Sequence, residues 1–280
     1  MSAPPPGPVT DLPIGATVAS SYRTFVVQLR YLPKAMAVPF LLSILLWIAT
    51  LMIVQLGTFF QLLALIPYTL FGVTWYRLNL YGPVVGAPVL GLSWGKEHWR
   101  FLRFVILVTL LNMVGFGIVI SPMAAAGPAA SLGVAAFTLC GIVALAFVLV
   151  RVSFVFPAAA VGEVYGFKHA WRHSVGQGWR LLLGVILVLL PLLALMGFIA
   201  PIISAPLLEQ IPETGGTAGE LATPEELGAT LGRFQLIQVI LEYPMLALIM
   251  TYVSIAFQTC TGWVPDQPNL PAAPDEPDDA

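Results

Sequence analysis

The sequence predicts an all-α membrane protein, a polytopic bundle of about six transmembrane helices with basic interfacial helices in its linkers. Three observations predict it. Hydrophobic residues make up 58% of the 280 residues and charged ones only 9%, where soluble domains carry about a quarter charged. The runs 35–76 and 104–150 contain no Asp, Glu, Lys, Arg or His. The basic residues gather in alternate connections.

Each long run makes two spans. As continuous helix, 35–76 would stretch roughly 63 Å, about twice the hydrocarbon thickness of a bilayer. Gly57 and Thr58, beside Gln55 and Gln61, are its polar punctuation, so a tight turn there divides it into spans over 35–56 and 59–78. Gly127-Pro128 divides the second run into spans over 102–122 and 133–155. The fifth span covers 179–204 and the sixth 234–258. Pro39, Pro67, Pro191 and Pro244 fall inside these spans, where neighbouring helices re-satisfy the interrupted backbone.

Charge placement orients the bundle. Arg23, Arg30 and Lys34 precede the first span; Arg77, Lys96, Arg100 and Arg103 lie between the second and third; Arg151, Lys168, Arg172 and Arg180 lie between the fourth and fifth. These are 11 of the 12 basic residues. The twelfth, Arg233, follows Glu209, Glu213, Glu220, Glu225 and Glu226 on the other side. By the positive-inside rule the basic side is cytoplasmic, which puts both chain ends in the cytoplasm of a cell with this protein in its inner membrane.

The transmembrane domain is bounded at 19–262. Residues 1–18, with five prolines, read as a disordered tail and not a cleaved signal. The helical stretch 17–34 reads as a surface helix leading into the first span. Residues 263–280 form an acidic tail with Pro265, Pro268, Pro271, Pro274 and Pro277. A proline every third residue lines one edge of a polyproline II helix. A docking strip for a protein partner is one reading of it, and an extended solvated tail is the plainer one.

Two frames repeat. Arg77-Leu-Asn-Leu-Tyr-Gly-Pro83 matches Arg151-Val-Ser-Phe-Val-Phe-Pro157 in its arginine and proline, and Trp99-Arg100 opens the third span as Trp179-Arg180 opens the fifth. The unit so duplicated is a helix, a basic aromatic linker and a returning helix, in the same orientation twice. In the second linker, Phe167, Ala170, Trp171, Ser174, Val175 and Gly178 share one arc of a helical wheel over 167–179. Lys168, His169, Arg172, His173 and Arg180 share the other, the pattern of a helix lying in the interface. Lys168, Arg172 and Arg180, with Arg100 and Arg103 of the first linker, are therefore candidate contacts for anionic lipid.

The run Arg151-Val-Ser-Phe-Val-Phe-Pro-Ala-Ala-Ala-Val-Gly, with Phe167-Lys-His-Ala-Trp-Arg-His-Ser-Val-Gly-Gln-Gly-Trp-Arg-Leu-Leu after it, resembles the YciC-like integral membrane proteins. It is also similar to the membrane domain attached to some bacterial glycerophosphodiester phosphodiesterases. The resemblance concerns mainly residues 140–190. It implies a bacterial helical membrane domain and no shared activity, since no soluble region here is large enough for the phosphodiesterase's catalytic domain.

Chemistry-bearing patterns are sparse. His169 and His173 are four apart, but no carboxylate or cysteine completes a metal set on that face, and a plain basic interfacial face is the reading kept. Cys140 and Cys260 fall near opposite ends of different spans and do not pair. Neither a glycine-rich phosphate loop nor a hydrolase frame is present, so no cofactor and no catalytic residue is assigned. Nucleic acid is excluded as a partner by the absence of any basic excess. Glu242 is the one carboxylate well inside a predicted span. Gln235, Gln238 and Glu242 form a polar stripe at helical spacing, for which Asn112 of the third span is a candidate partner. Thr223-Pro224-Glu225-Glu226 is a start signal for the helix that carries them. Three functions fit: a non-enzymatic organiser that gathers lipid or partner proteins at its linkers, a small transporter or channel with a polar path near Glu242, and an intramembrane lipid enzyme. The third needs paired ionisable groups at depth and finds one candidate.

Overall fold

The computed structural model describes residues 11–85, 94–127, 131–208 and 224–265, and every regular element among them is helical. In chain order these are α1 (Ile14–Gln28), α2 (Leu32–Met52), α3 (Gly57–Leu63), α4 (Leu65–Val85), α5 (Lys96–Ala126), α6 (Leu132–Val152), α7 (Val155–Ala160), α8 (Phe167–His173), α9 (Gly178–Leu208) and α10 (Pro224–Thr261). Among the described residues six segments are long and apolar enough to cross a membrane: 14–50, 59–83, 96–125, 132–160, 178–195 and 240–261. The chain is a multi-pass membrane protein.

The breaks between spans follow local chemistry. The turn after α2 lies at Ile53 and the 3₁₀ turn Val54–Leu56, not at Gly57-Thr58 as the polar punctuation predicts. Gly57 instead opens α3, because Ile53 leaves helical geometry at φ −129°, ψ 73° and ends α2 first. Pro67 then falls in the first turn of α4, where its missing N–H has no helical acceptor to lose. Pro39 and Pro244 lie within α2 and α10, and both helices continue through them. Toward its end α4 is interrupted at Gly82, whose φ of 78° favours glycine, just ahead of Pro83.

Residues 11–18, expected as the end of a disordered tail, are ordered. Leu12 is buried and its N–H donates to Gln177 Oε1 at 2.9 Å, while Asp11 pairs with Arg180 at 2.7 Å. From there α1 lays one face, with Thr17, Ser21 and Gln28 buried, along α9 and α10, and leaves Val26 and Val27 exposed. The Tyr22 hydroxyl donates to the Val188 carbonyl of α9 at 2.6 Å. Trp263, assigned from sequence to the other tail, is also buried, against Tyr81 and Phe257. Residues 1–10, the proline strip from residue 266 onward, Thr223 and Glu209, Glu213 and Glu220 lie outside the described residues.

The core sits toward the end of the bundle that carries the basic linkers. There α4 and α10 run side by side. Trp75, fully buried, donates Nε1 to the Ala247 carbonyl at 2.8 Å and to Thr251 Oγ1 at 3.0 Å. The Tyr243 hydroxyl shares a 2.8 Å hydrogen bond with Ser43 on α2. The six-residue α7 is buried between α4 and α5, and its Ala158, Ala159 and Ala160 let those helices close over it. It ends in a left-handed glycine cap: Gly162, at φ 85°, donates to Ala159 O, and Glu163 N–H donates to Ala158 O.

At the other end, α5 and α6 pair as a hairpin whose surfaces are otherwise largely exposed. Gly141 of α6 packs so closely on α5 that a Cβ there would lie 2.8 Å from both methyls of Val119. Small residues of this kind let membrane helices approach where apolar burial gives no driving force. Val119 is β-branched and cannot swing aside. Gly141→Ala therefore destabilises the purified protein by about 1–3 kcal/mol, read as a lowered thermal midpoint. Gly117→Ala, where a Cβ meets nothing within 4 Å, leaves the midpoint unchanged or raises it.

Candidate functional site

The linker end holds a buried cation. Arg151, in the last turn of α6, is only 8% exposed. Its Nε donates to Ser174 Oγ at 3.0 Å and its terminal nitrogen to the Trp171 carbonyl at 2.8 Å, and its guanidinium lies 3.6 Å from the centre of the Trp171 ring. Ser174 Oγ donates in turn to the Trp171 carbonyl at 3.1 Å. A planar fork that stacks and hydrogen-bonds at once is what arginine provides and lysine does not. Arg151 thereby ties α6 to the far end of α8.

The second linker is less helical than its wheel predicts. α8 stops at His173, a turn follows through Ser174–Gln177 with Gly176 at φ 76°, and α9 starts at Gly178. The apolar arc expected to lie among headgroups instead packs partly into the bundle: Ala170 and Ser174 are buried, while Trp171 is exposed and Val175, placed on the same arc, turns outward beyond the helix end. The Tyr165 ring lies 5.7 Å from His169 and 5.8 Å from His173, centroid to centroid. Burial, reinforced by the charge of His169, lowers the His173 pKa from its ordinary value of 6.5.

The five candidate lipid contacts divide. Arg180 is held by Asp11. Arg100 donates to the Gly162 carbonyl at 2.7 Å and so braces the cap of α7. Arg172 is engaged within the protein. Lys168 and Arg103 are exposed, and neither has a hydrogen-bonding or ionic partner among the described residues. At the same end of the bundle Trp99, Trp171 and Trp179 are 63%, 40% and 64% exposed, as indole rings are at a membrane–water boundary.

Glu242 is half-buried on α10, with the Tyr68 hydroxyl of α4 close to its carboxyl. Tyr68 stacks on Tyr243 at 6.1 Å, and Tyr243 meets Phe71 and Phe40 edge to face. Asn112 does not join this group: it is exposed on α5. Sequence reasoning sought an amide and missed a tyrosine, whose ring counts as apolar while its hydroxyl serves the carboxyl. Gln235 and Gln238 belong to α10, and their side chains lie outside the described residues.

Family models, curated proteins and solved structures were compared with the chain. None of them matches it. The arrangement itself offers cations and indoles at the linker end and one carboxyl–phenol pair deeper in the bundle. Among the described residues no group of three or more His, Cys, Asp and Glu side chains could hold a metal.

The Arg151 contacts predict an asymmetry between charge and shape. Arg151→Lys keeps the charge but loses the fork and the stack, and costs about 2 kcal/mol of stability. The accompanying change is selective: in a Trp171-only variant the ring, already 40% exposed, is quenched more strongly by an aqueous quencher after the exchange, while that of a Trp75-only variant stays shielded.

Proposed function

We propose that this protein is a non-enzymatic, inner-membrane organiser that gathers anionic lipid at its linker end, with that end facing the cytoplasm. The observation that carries the reading is the division of the basic residues. Of the five candidate contacts, Arg180 pairs with Asp11, Arg100 binds the Gly162 carbonyl and Arg172 is engaged within the protein, whereas Lys168 and Arg103 are exposed without a partner among the described residues. An exposed ammonium or guanidinium near an anionic surface contributes about 1 kcal/mol to the attraction. The positive-inside asymmetry puts those cations on the leaflet side where anionic headgroups face cytosol. The likeness of residues 140–190 to YciC-like membrane proteins belongs to the same proposal and supplies no activity of its own.

The division makes the reading testable. Replacing both Lys168 and Arg103 with glutamine lowers enrichment of phosphatidylglycerol around the protein in mixed vesicles, by about 1 kcal/mol per charge removed. Replacing Arg100 and Arg180 changes thermal stability more than lipid preference. Equal loss of enrichment from the two pairs would show that the cations act only through total charge, and no loss from either would remove the lipid-gathering function.

A small transporter or channel with a path at Glu242 is the second reading, and the closeness of the Tyr68 hydroxyl to the Glu242 carboxyl bears on it. A carboxyl set against a phenol of a neighbouring helix serves as interhelical glue. Glu242→Gln, which keeps a hydrogen-bonding partner for Tyr68, preserves protein abundance and any phenotype of a deletion strain, and Glu242→Leu lowers both together. A Glu242→Gln protein that is abundant but without function would instead establish an ion or proton site.

A further inference from the structure

Between α5, α6 and α8 a groove of about 510 Å³ opens at the protein surface. Its long walls are Leu107 and Leu111 of α5 and Val148 and Val152 of α6, and its linker end is closed by Phe167, Lys168 and Trp171 of α8. The groove exists because the two helices of the hairpin touch most closely further along. Gly115 meets Leu145 and Gly141 meets Val119, one to two turns nearer the far end. At the linker end Phe167 wedges against Phe104 of α5, with ring centres 5.3 Å apart, and holds the seam open.

The walls are those of an acyl-chain site. They are aliphatic, they run along the membrane-crossing direction, and Leu107 and Leu111 remain 42% exposed. One wall is held in place: the Trp171 ring is backed by the Arg151 guanidinium, which also binds the Trp171 carbonyl. The charge sits at one end only. Lys168 is on the rim, and Arg103 lies one helical turn before Leu107 on the same face of α5. Both lack a protein partner among the described residues, so the groove presents two cations above an apolar slot. That is the complement of a lipid with an anionic head, not of a zwitterionic one or of a second apolar helix.

We propose that this groove binds one anionic phospholipid, with one acyl chain along Leu107, Leu111, Val148 and Val152 and the phosphate at Lys168 and Arg103. The inference rests on the lipid-gathering reading and adds to it a single saturable site. It also gives Arg151 a role as a positioning residue, through Trp171.

The test uses the full chain in detergent with phosphatidylglycerol or phosphatidylcholine added, read by native mass spectrometry, alongside bulk phosphatidylglycerol enrichment in mixed vesicles. The wild type retains one phosphatidylglycerol, about tenfold more tightly than phosphatidylcholine. Leu107→Trp with Val148→Trp fills the slot, keeps every cation, and loses the retained lipid while bulk enrichment persists. Lys168→Gln with Arg103→Gln, both at exposed positions that leave folding undisturbed, reduces the preference to near parity. Retention of the lipid by the slot-filled protein would overturn the groove while leaving the lipid-gathering reading intact. Equal retention of the two lipids by the wild type would overturn the anionic assignment. No retained lipid together with no bulk enrichment would overturn both readings.

Discussion

The structure depends first on where its backbone is permitted to break. In hydrocarbon every N–H and C=O must find its partner within the protein, so the backbone breaks toward the ends of the spans or where neighbouring helices pack over the break. The interruptions observed obey this. Ile53–Leu56 and Gly127 fall at one end of the bundle, and Gly82, Ser153–Phe154, Gly162 and Ser174–Gln177 fall at the other. The second group is where irregular backbone, the buried Arg151 and exposed indoles coexist. Any chemistry of recognition the protein has is therefore concentrated there.

Between those ends, packing replaces the hydrophobic effect as the source of specificity. Lipid chains are as apolar as leucine, and helices associate through close approach and polar contacts. The α4–α10 pair uses both: Trp75 fills the interface and donates its indole N–H to Ala247 and Thr251. The α5–α6 pair uses glycine. α7 shows the same economy on a smaller scale, as a run of alanines thin enough to lie between two spanning helices, capped by Gly162 and braced by Arg100.

The spans were legible in the sequence because charge-free length is a direct physical requirement of crossing a bilayer, and their predicted ends agree with the helices to within a few residues in most cases. What escaped was set by long-range partners. Asp11 looks like part of a proline-rich tail until Arg180, far along the chain, is placed beside it. Tyr68 carries no sign that it faces Glu242. The turn at Ile53 lacks any glycine or proline to mark it, and the polar residues that follow drew the boundary to the wrong side. Arg151 was visible as a basic residue at a span end. Its burial depends on the turn after α8, which a helical wheel carried through to Trp179 conceals. The separation of Lys168 and Arg103 from Arg100, Arg172 and Arg180 depends in the same way on contacts that no local pattern encodes.

That the basic linkers share one face of the membrane is tested most directly by two cysteines of equal exposure. Val164, between α7 and α8, is 86% exposed, and Leu132, at the start of α6, is 88% exposed. With Cys140 and Cys260 replaced by serine, each position is given a single cysteine and intact cells are treated with an impermeant maleimide. The account predicts that Leu132→Cys is labelled from outside and that Val164→Cys is labelled only after the membrane is opened. Labelling of Val164→Cys in intact cells would contradict it.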